Sequence, residues 1–163
     1  MTSDWDVLLV VPGPARQRRR EGQIDIISVS IFDLESKWPR MDLASHVAHY
    51  GIQLSGDSVL PLNVSPVFAA VRKSKIVAAR TARLDQLWSL FDRCSRLSEG
   101  LRLRRDIQRA RRLGMGLPVP ATAVLDDEWR DLSNDGRREA VTAAAPSRRI
   151  ERALLHGCWG ASA

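Results

Sequence analysis

The chain has 163 residues, of which 44% are hydrophobic and 27% are charged, with ordinary numbers of glycine (10) and proline (8). These values indicate a globular protein with one domain, or a compact core with a helical appendage, and exclude an intrinsically disordered chain. No run of about 18 apolar residues is present and acidic residues precede the first apolar run, so we expect no membrane association, no signal peptide and a cytoplasmic location.

Positive charge is concentrated in the middle of the chain. The formal net charge is +6, and thirteen Lys and Arg residues stand against four Asp and Glu between residues 66 and 112. Such a region suits an anionic partner, a triphosphate or a nucleic acid, although an arginine-rich solvated surface has the same composition. The two cysteines, Cys94 and Cys158, lack metal-ligand spacing and are expected to be reduced and structural.

The first predicted element is a strand over residues 5–11, with two carboxylates at its mouth. Asp4 and Asp6 are two residues apart, and residues at i and i+2 of a strand point to the same face. Two neighbouring carboxylates repel each other, and a divalent cation such as Mg²⁺ removes the repulsion with the oxygen ligands that it prefers. The spacing therefore favours a metal site, against the alternative that both residues are simply solvated.

A second strand is predicted over residues 23–32, after a loop that contains the arginine run 16–20. The connection is short for a parallel crossover, so we expect the two strands to be antiparallel. A symmetric hairpin places Asp25 opposite Leu9, and this offset separates Asp25 from Asp6 by about 10 Å along the strand.

The run Ser-Asp-Trp-Asp at residues 3–6 and the apolar stretch 7–10 resemble the signature of the polymerase-beta-type nucleotidyltransferase superfamily. The best match is to small bacterial members, which include the minimal nucleotidyltransferases and the aminoglycoside adenylyltransferases. Residues 24–27 match the family's apolar-Asp-apolar strand, and residues 37–57 resemble its following helix and Gly-containing turn. The resemblance covers roughly the first 60 residues.

The resemblance implies transfer of a nucleoside monophosphate from a nucleoside triphosphate to an unknown hydroxyl acceptor by two-metal catalysis. Asp4 and Asp6 would hold two Mg²⁺ ions, and Asp25 would bind the nucleophile-side ion and help to deprotonate the acceptor. If Asp25 is instead a strand-end aspartate held by a neighbouring arginine, Asp33 or Glu35 is the alternative third carboxylate.

Ser3 and the basic residues Arg72 and Lys73 are the expected nucleotide-binding residues. The family also carries a Gly-Ser pair shortly before the Asp-x-Asp strand, and that pair grips the triphosphate. This sequence starts at Met1, two residues before the motif. We therefore expect a truncated nucleotidyltransferase core, a misassigned start codon, or a protein that has lost the reaction.

Helices are predicted over most of the remaining chain. Their expected ranges are about 36–50, 65–97, 101–113, 121–132 and 136–157, the last interrupted at Pro146. The first of them places Asp42, His46 and His49 on one face, where they could bind a transition metal, although packing and helix-end charge explain them as well.

Together these elements predict an α+β fold, in which a small nucleotidyltransferase-like sheet with helices is followed by a C-terminal helical bundle. Residues 1–63 form the expected truncated core, and residues 64–163 form the helical region. The alternative function is a non-catalytic module that binds nucleic acid or protein through arginine-rich helices at 66–112. A third hypothesis is a helical regulatory subunit without a small ligand.

Overall fold

A computed structural model describes residues 5–14, 18–56, 64–142, 144 and 147–159. Within these ranges a small mixed sheet is followed by helices, which confirms the predicted α+β class. The strands are β1 (Trp5–Val11), β2 (Arg18–Glu21) and β3 (Ile24–Ser30). The helices are α1 (Ile31–Ser36), α2 (Asp42–Tyr50), α3 (Pro66–Gln86), α4 (Arg93–Gly114), α5 (Thr122–Asp131), α6 (Asn134–Thr142) and α7 (Arg148–His156), with a 3₁₀ turn at Trp38–Arg40.

β3 is the central strand of the sheet, whose order is β1-β3-β2. β1 runs parallel to β3, whereas β2 is antiparallel to it and reaches it through a tight turn at Gly22, where φ is 62°. The predicted antiparallel pairing of the first strand with residues 23–32 is therefore wrong. The reason is that residues 18–20 of the predicted loop belong to β2, which takes the hairpin position and leaves the other side of β3 to β1.

The face of the sheet that meets the helices holds one of the apolar cores. Val29 of β3 is buried with Leu34 of α1 and Trp38 of the 3₁₀ turn, and the β1 side chains Leu8 and Val10 pack against them. Alternation along β1 and β3 places these residues on the same face as Asp6 and Asp25. The acidic positions therefore lie at one end of the covered face.

The helical segment after the sheet begins earlier than predicted. The Oγ atom of Ser30 accepts a hydrogen bond of 3.0 Å from the backbone N–H of Asp33, and this cap starts α1 directly after β3. In place of the single helix predicted over 36–50, the chain forms the 3₁₀ turn that contains Pro39 and then α2, and α1 precedes both. Its predicted end at Tyr50 is confirmed.

The two long helices meet at a different place from the one predicted. α3 ends at Gln86, and α4 begins after Asp92, whose carboxylate accepts a hydrogen bond of 2.6 Å from the backbone N–H of Ser95. The predicted helix over 65–97 is therefore too long, because Asp92 acts as an N-cap. The largest apolar core lies among these and the later helices and contains Val77, Leu84, Trp88, Leu103, Ile107, Trp129, Val141, Ile150, Ala153, Leu154 and Trp159.

A glycine of α4 allows the end of the described chain to pack into this core. Gly100 is buried, and a Cβ atom added to it would overlap the six-membered ring of Trp159. The Trp159 ring in turn stacks on Trp88, with 6.2 Å between ring centroids. Because Gly100 has no side chain, the Trp159 ring can lie against α4 and stack on Trp88.

We predict that Gly100→Ala lowers the free energy of unfolding by roughly 2 kcal/mol, because the added methyl group overpacks the Trp159 contact. Gly114→Ala is the matched control in the same helix, since nothing lies within 4 Å of its added Cβ atom. That control is expected to be neutral or to gain up to about 1 kcal/mol from helix propensity. Urea unfolding followed by tryptophan fluorescence measures both variants, and equal stabilities would contradict the packing described here.

Candidate functional site

The parallel register brings two of the predicted carboxylates together. Asp6 is the Cα partner of Asp25 in the β1–β3 pair, and paired residues on adjacent strands lie about 5 Å apart with side chains on the same face. The predicted offset between Asp6 and Asp25 is therefore wrong, because it assumed an antiparallel hairpin. Asp4 and Ser3, the other predicted residues of this motif, lie outside the described residues.

Asp25 has a cationic partner on β2. The Nε atom of Arg18 donates hydrogen bonds of 3.0 and 3.1 Å to the two carboxylate oxygens of Asp25, and Nη2 makes a further ion-pair contact. The Arg18 hydrogen bond holds the pKa of Asp25 below its ordinary value, and the charge of Arg20 acts in the same direction. This agrees with the alternative reading of Asp25 as a strand-end aspartate held by a nearby arginine.

Arg18 responds to both acidic residues. Its pKa is raised, mainly by the hydrogen bond and charge of Asp25 and also by the charge of Asp6. The Arg18 side chain is 72% exposed, whereas that of Asp25 is only 11% exposed. The carboxylate is thus the fixed member of the pair, and the arginine reaches it from solvent.

Two carboxylates on one face fit a hard divalent cation, because carboxylate oxygens are the ligands that Mg²⁺ prefers. Among the residues that the structure describes, no three His, Cys, Asp or Glu side chains are grouped as a metal site. Of the alternatives for a third ligand, Asp33 forms an ion pair of 2.8 Å with Lys37, and Glu35 is exposed. The described part of the site therefore provides the pair Asp6 and Asp25, with Arg18 as the competing cation.

The three α2 residues with metal-ligand spacing have separate partners. Asp42 binds Lys73, with 2.8 Å between Oδ2 and Nζ. The Nδ1 atom of His46 is 2.8 Å from the carbonyl oxygen of Val119, and the ring of His49 packs edge-on against that of Tyr50. These contacts support the packing interpretation of the three residues.

The two predicted nucleotide-binding residues of α3 lie in different environments. Lys73 is buried, and its Nζ atom lies 2.8 Å from Asp42 and 3.2 Å from Asp106. Arg72 is exposed and forms no ion pair or hydrogen bond with another described residue. The ammonium of Lys73 is therefore committed to two carboxylates, whereas the guanidinium of Arg72 faces solvent.

Most arginines of α4 serve the packing of the bundle. Each of four pairs with a carboxylate, and two donate to carbonyl oxygens while lying over tryptophan rings. The four pairs are Arg102–Glu99, Arg105–Asp126, Arg109–Asp106 and Arg112–Glu128. The other two are Arg96, bonded to Trp88 O, and Arg104, bonded to Leu154 O.

The outer face of α3 is different. Arg72, Lys75 and Arg83 lie on one exposed stripe of the helix, and none of them contacts an acidic side chain in the described ranges. The single acidic residue of α3, Asp85, is bound by Arg149 at 2.7 Å and by Ser147 at 2.9 Å. We call Arg72, Lys75 and Arg83 the α3 stripe.

Comparison of the chain with protein-family models, with curated proteins and with solved structures found no match in any of the three. None of the helices in the described part of the chain combines the length and apolar character needed to cross a bilayer.

We predict that Arg18→Gln raises the pKa of Asp25 toward its ordinary value, because it removes the hydrogen bond that stabilises the ionised carboxylate. A carboxyl with a depressed pKa stabilises the fold above its unfolded pKa of about 3.9, and this stability is lost as the pH falls through the folded value. The variant should therefore lose less stability than the parent chain on acidification. Carboxyl ¹³C NMR titration of Asp25 measures the shift directly.

Arg19→Gln is the matched control for this experiment. Arg19 is the next residue of β2, points to the opposite face and pairs with Glu21 at 3.3 Å. It should leave the pKa of Asp25 unchanged. An Asp25 titration that responds equally to both substitutions would mean that general surface charge, and not the Arg18 contact, sets this pKa.

Proposed function

We propose that the chain is a Mg²⁺-dependent nucleotidyltransferase, which moves a nucleoside monophosphate from a nucleoside triphosphate to a hydroxyl acceptor. The observation that supports it is the register of β1 on β3, which pairs Asp6 with Asp25 on one face of the sheet. The sequence motif at residues 3–6 supplies the resemblance, and the paired carboxylates supply the geometry that a shared cation needs.

The roles of the residues follow from their charge and exposure. Asp6 and Asp25 would hold the cation, and the hydrogen bond from Arg18 lowers the pKa of Asp25, which favours its ionised form. Bound Mg²⁺ supplies charge neutralisation at the attacking and leaving oxygens of the phosphoryl group. The largely exposed Arg18, once displaced from Asp25, becomes available to hold phosphate oxygens, which guanidinium groups bind with two parallel hydrogen bonds.

Metal binding tests this proposal most directly. We predict that the chain binds Mn²⁺, used as a paramagnetic probe for Mg²⁺, and that Asp6→Asn or Asp25→Asn raises the dissociation constant at least about tenfold. Asp131→Asn is the matched control, since Asp131 is an exposed aspartate without an ion pair among the described residues. Electron paramagnetic resonance of free Mn²⁺ measures the affinities, and circular dichroism checks that each variant is folded.

Activity is then measured with α-labelled ATP and candidate hydroxyl acceptors in the presence of Mg²⁺. Transfer of the labelled monophosphate should require both Asp6 and Asp25. Mn²⁺ binding that is unchanged in both variants, or transfer that persists in the double variant, would remove these residues from the mechanism.

The α3 stripe favours a second candidate function, the binding of nucleic acid. Arg72, Lys75 and Arg83 present three cations to solvent without acidic neighbours, so phosphate groups can replace water around them. Phe68, 60% exposed at the start of the same helix, adds an aromatic surface beside Arg40, whose guanidinium carbon lies 5.4 Å from the ring centroid. The α4 arginines contribute less to this function, because most of them are held within the bundle.

We predict that the triple variant Arg72→Gln/Lys75→Gln/Arg83→Gln weakens binding of labelled single-stranded DNA and reduces the salt dependence, by about 2 in the slope of log K against log salt. The matched control removes three exposed arginines of α4, Arg93, Arg102 and Arg111, with the same change in net charge. Fluorescence anisotropy at several salt concentrations compares them. Equal losses in both variants would indicate attraction by net charge alone and would exclude a specific role for the stripe.

A further inference from the structure

A polar cleft lies between the last two described helices, α6 and α7. Its volume is about 380 Å³, near the lower end of the size range of small-molecule sites. The residues that line it are Arg138, Arg148, Glu151, Arg152, Leu155 and His156. The lining therefore holds three guanidinium groups against a single carboxylate.

The helical spacing explains why the cations converge. Arg148, Arg152 and His156 follow one another at intervals of four residues, so they form one ridge along α7. Arg138 faces them from α6, and within the described part of the chain its ion-pair contact is the long 3.9 Å approach to Asp135 of the same helix. Two helices thus present arginines to the same space.

Arg148 and Arg152 differ from the neighbouring Arg149 in their contacts within the described part of the chain. Arg149, the next residue of α7, binds Asp85 at 2.7 Å and lies over the ring of Trp88. By contrast, neither Arg148 nor Arg152 forms an ion pair or a hydrogen bond with any other residue in the described ranges. Both side chains line the cleft, and among the described residues the one carboxylate of its lining, Glu151, forms no ion pair with either of them.

We propose that this cleft binds a small ligand that carries adjacent phosphoryl groups. Three arginines and one glutamate leave the cleft with an excess of positive charge, which a diphosphate can neutralise. Each guanidinium can donate two parallel hydrogen bonds to phosphate oxygens. The concave shape selects a compact ligand, whereas the α3 stripe is a convex helix face. Glu151 remains as an acceptor for a hydroxyl group of the ligand.

Isothermal titration calorimetry with inorganic pyrophosphate, without divalent cations, tests the proposal. We predict saturable binding that is weakened about tenfold by Arg152→Gln or Arg148→Gln, since each removes a charge-assisted contact. The melting temperature should not change, because neither side chain has a protein partner to lose. Arg111→Gln is the matched control for loss of one exposed arginine, because Arg111 forms no ion pair with another described residue, and this variant should bind pyrophosphate normally.

Two further probes define the source of the phosphates. ADP should bind with the same dependence on Arg152, whereas a twelve-nucleotide single-stranded DNA should bind in a manner that Arg152→Gln barely affects. The absence of pyrophosphate binding, an equal loss in Arg111→Gln, or Arg152-dependent binding of the oligonucleotide alone would each overturn the assignment of this cleft to a small phosphorylated ligand.

Discussion

The packing of the helices depends on the carboxylate of Asp106. This residue is 3% exposed, and its oxygens lie 3.2 Å from Lys73, 2.6 Å from Arg80 and 3.2 Å from Arg109. Lys73 extends the network to Asp42 at the start of α2, so the helices near the sheet are joined to α3 and α4 by charge. A buried ion is costly unless it has partners of opposite charge. In this arrangement the buried charges of Asp106 and Lys73 each have such partners.

The fold class could be predicted from the sequence, but the pairing of strands could not. The apolar stretch of the first strand is a local signal, and residues 5–11 do form β1. β2 has four charged, exposed residues and no apolar alternation, so nothing local distinguishes it from a loop. The buried side of α3 could not be predicted from hydrophobicity either, because Val67 is 71% exposed while Lys73 is buried. Burial of Lys73 follows from carboxylates that are distant in the chain.

The candidate site shows the same division between local and distant information. The Asp-x-Asp spacing was visible in the sequence, and Asp25 was selected by resemblance, yet the proximity of Asp6 to Asp25 depends on the parallel register of β1 on β3. The net charge likewise gave no indication of which arginines form ion pairs or hydrogen bonds within the fold. Most α4 arginines bind carboxylates or carbonyl oxygens, whereas the α3 stripe and Arg148 and Arg152 of the α6–α7 cleft form no ion pair among the described residues. We therefore assign the proposed anion-binding functions to cationic side chains that lack an ion-pair partner among the described residues.

The strand order also has a consequence for how the chain folds. β2 and β3 are joined by a short turn and pair with each other through local contacts, which form quickly. β1 can pair only with the far side of β3, from Trp5 opposite Ile24 onward, and so must close a longer loop. We therefore expect the hairpin to form first and β1 to add to it. In this order the two acidic side chains become neighbours only once β1 has paired with β3.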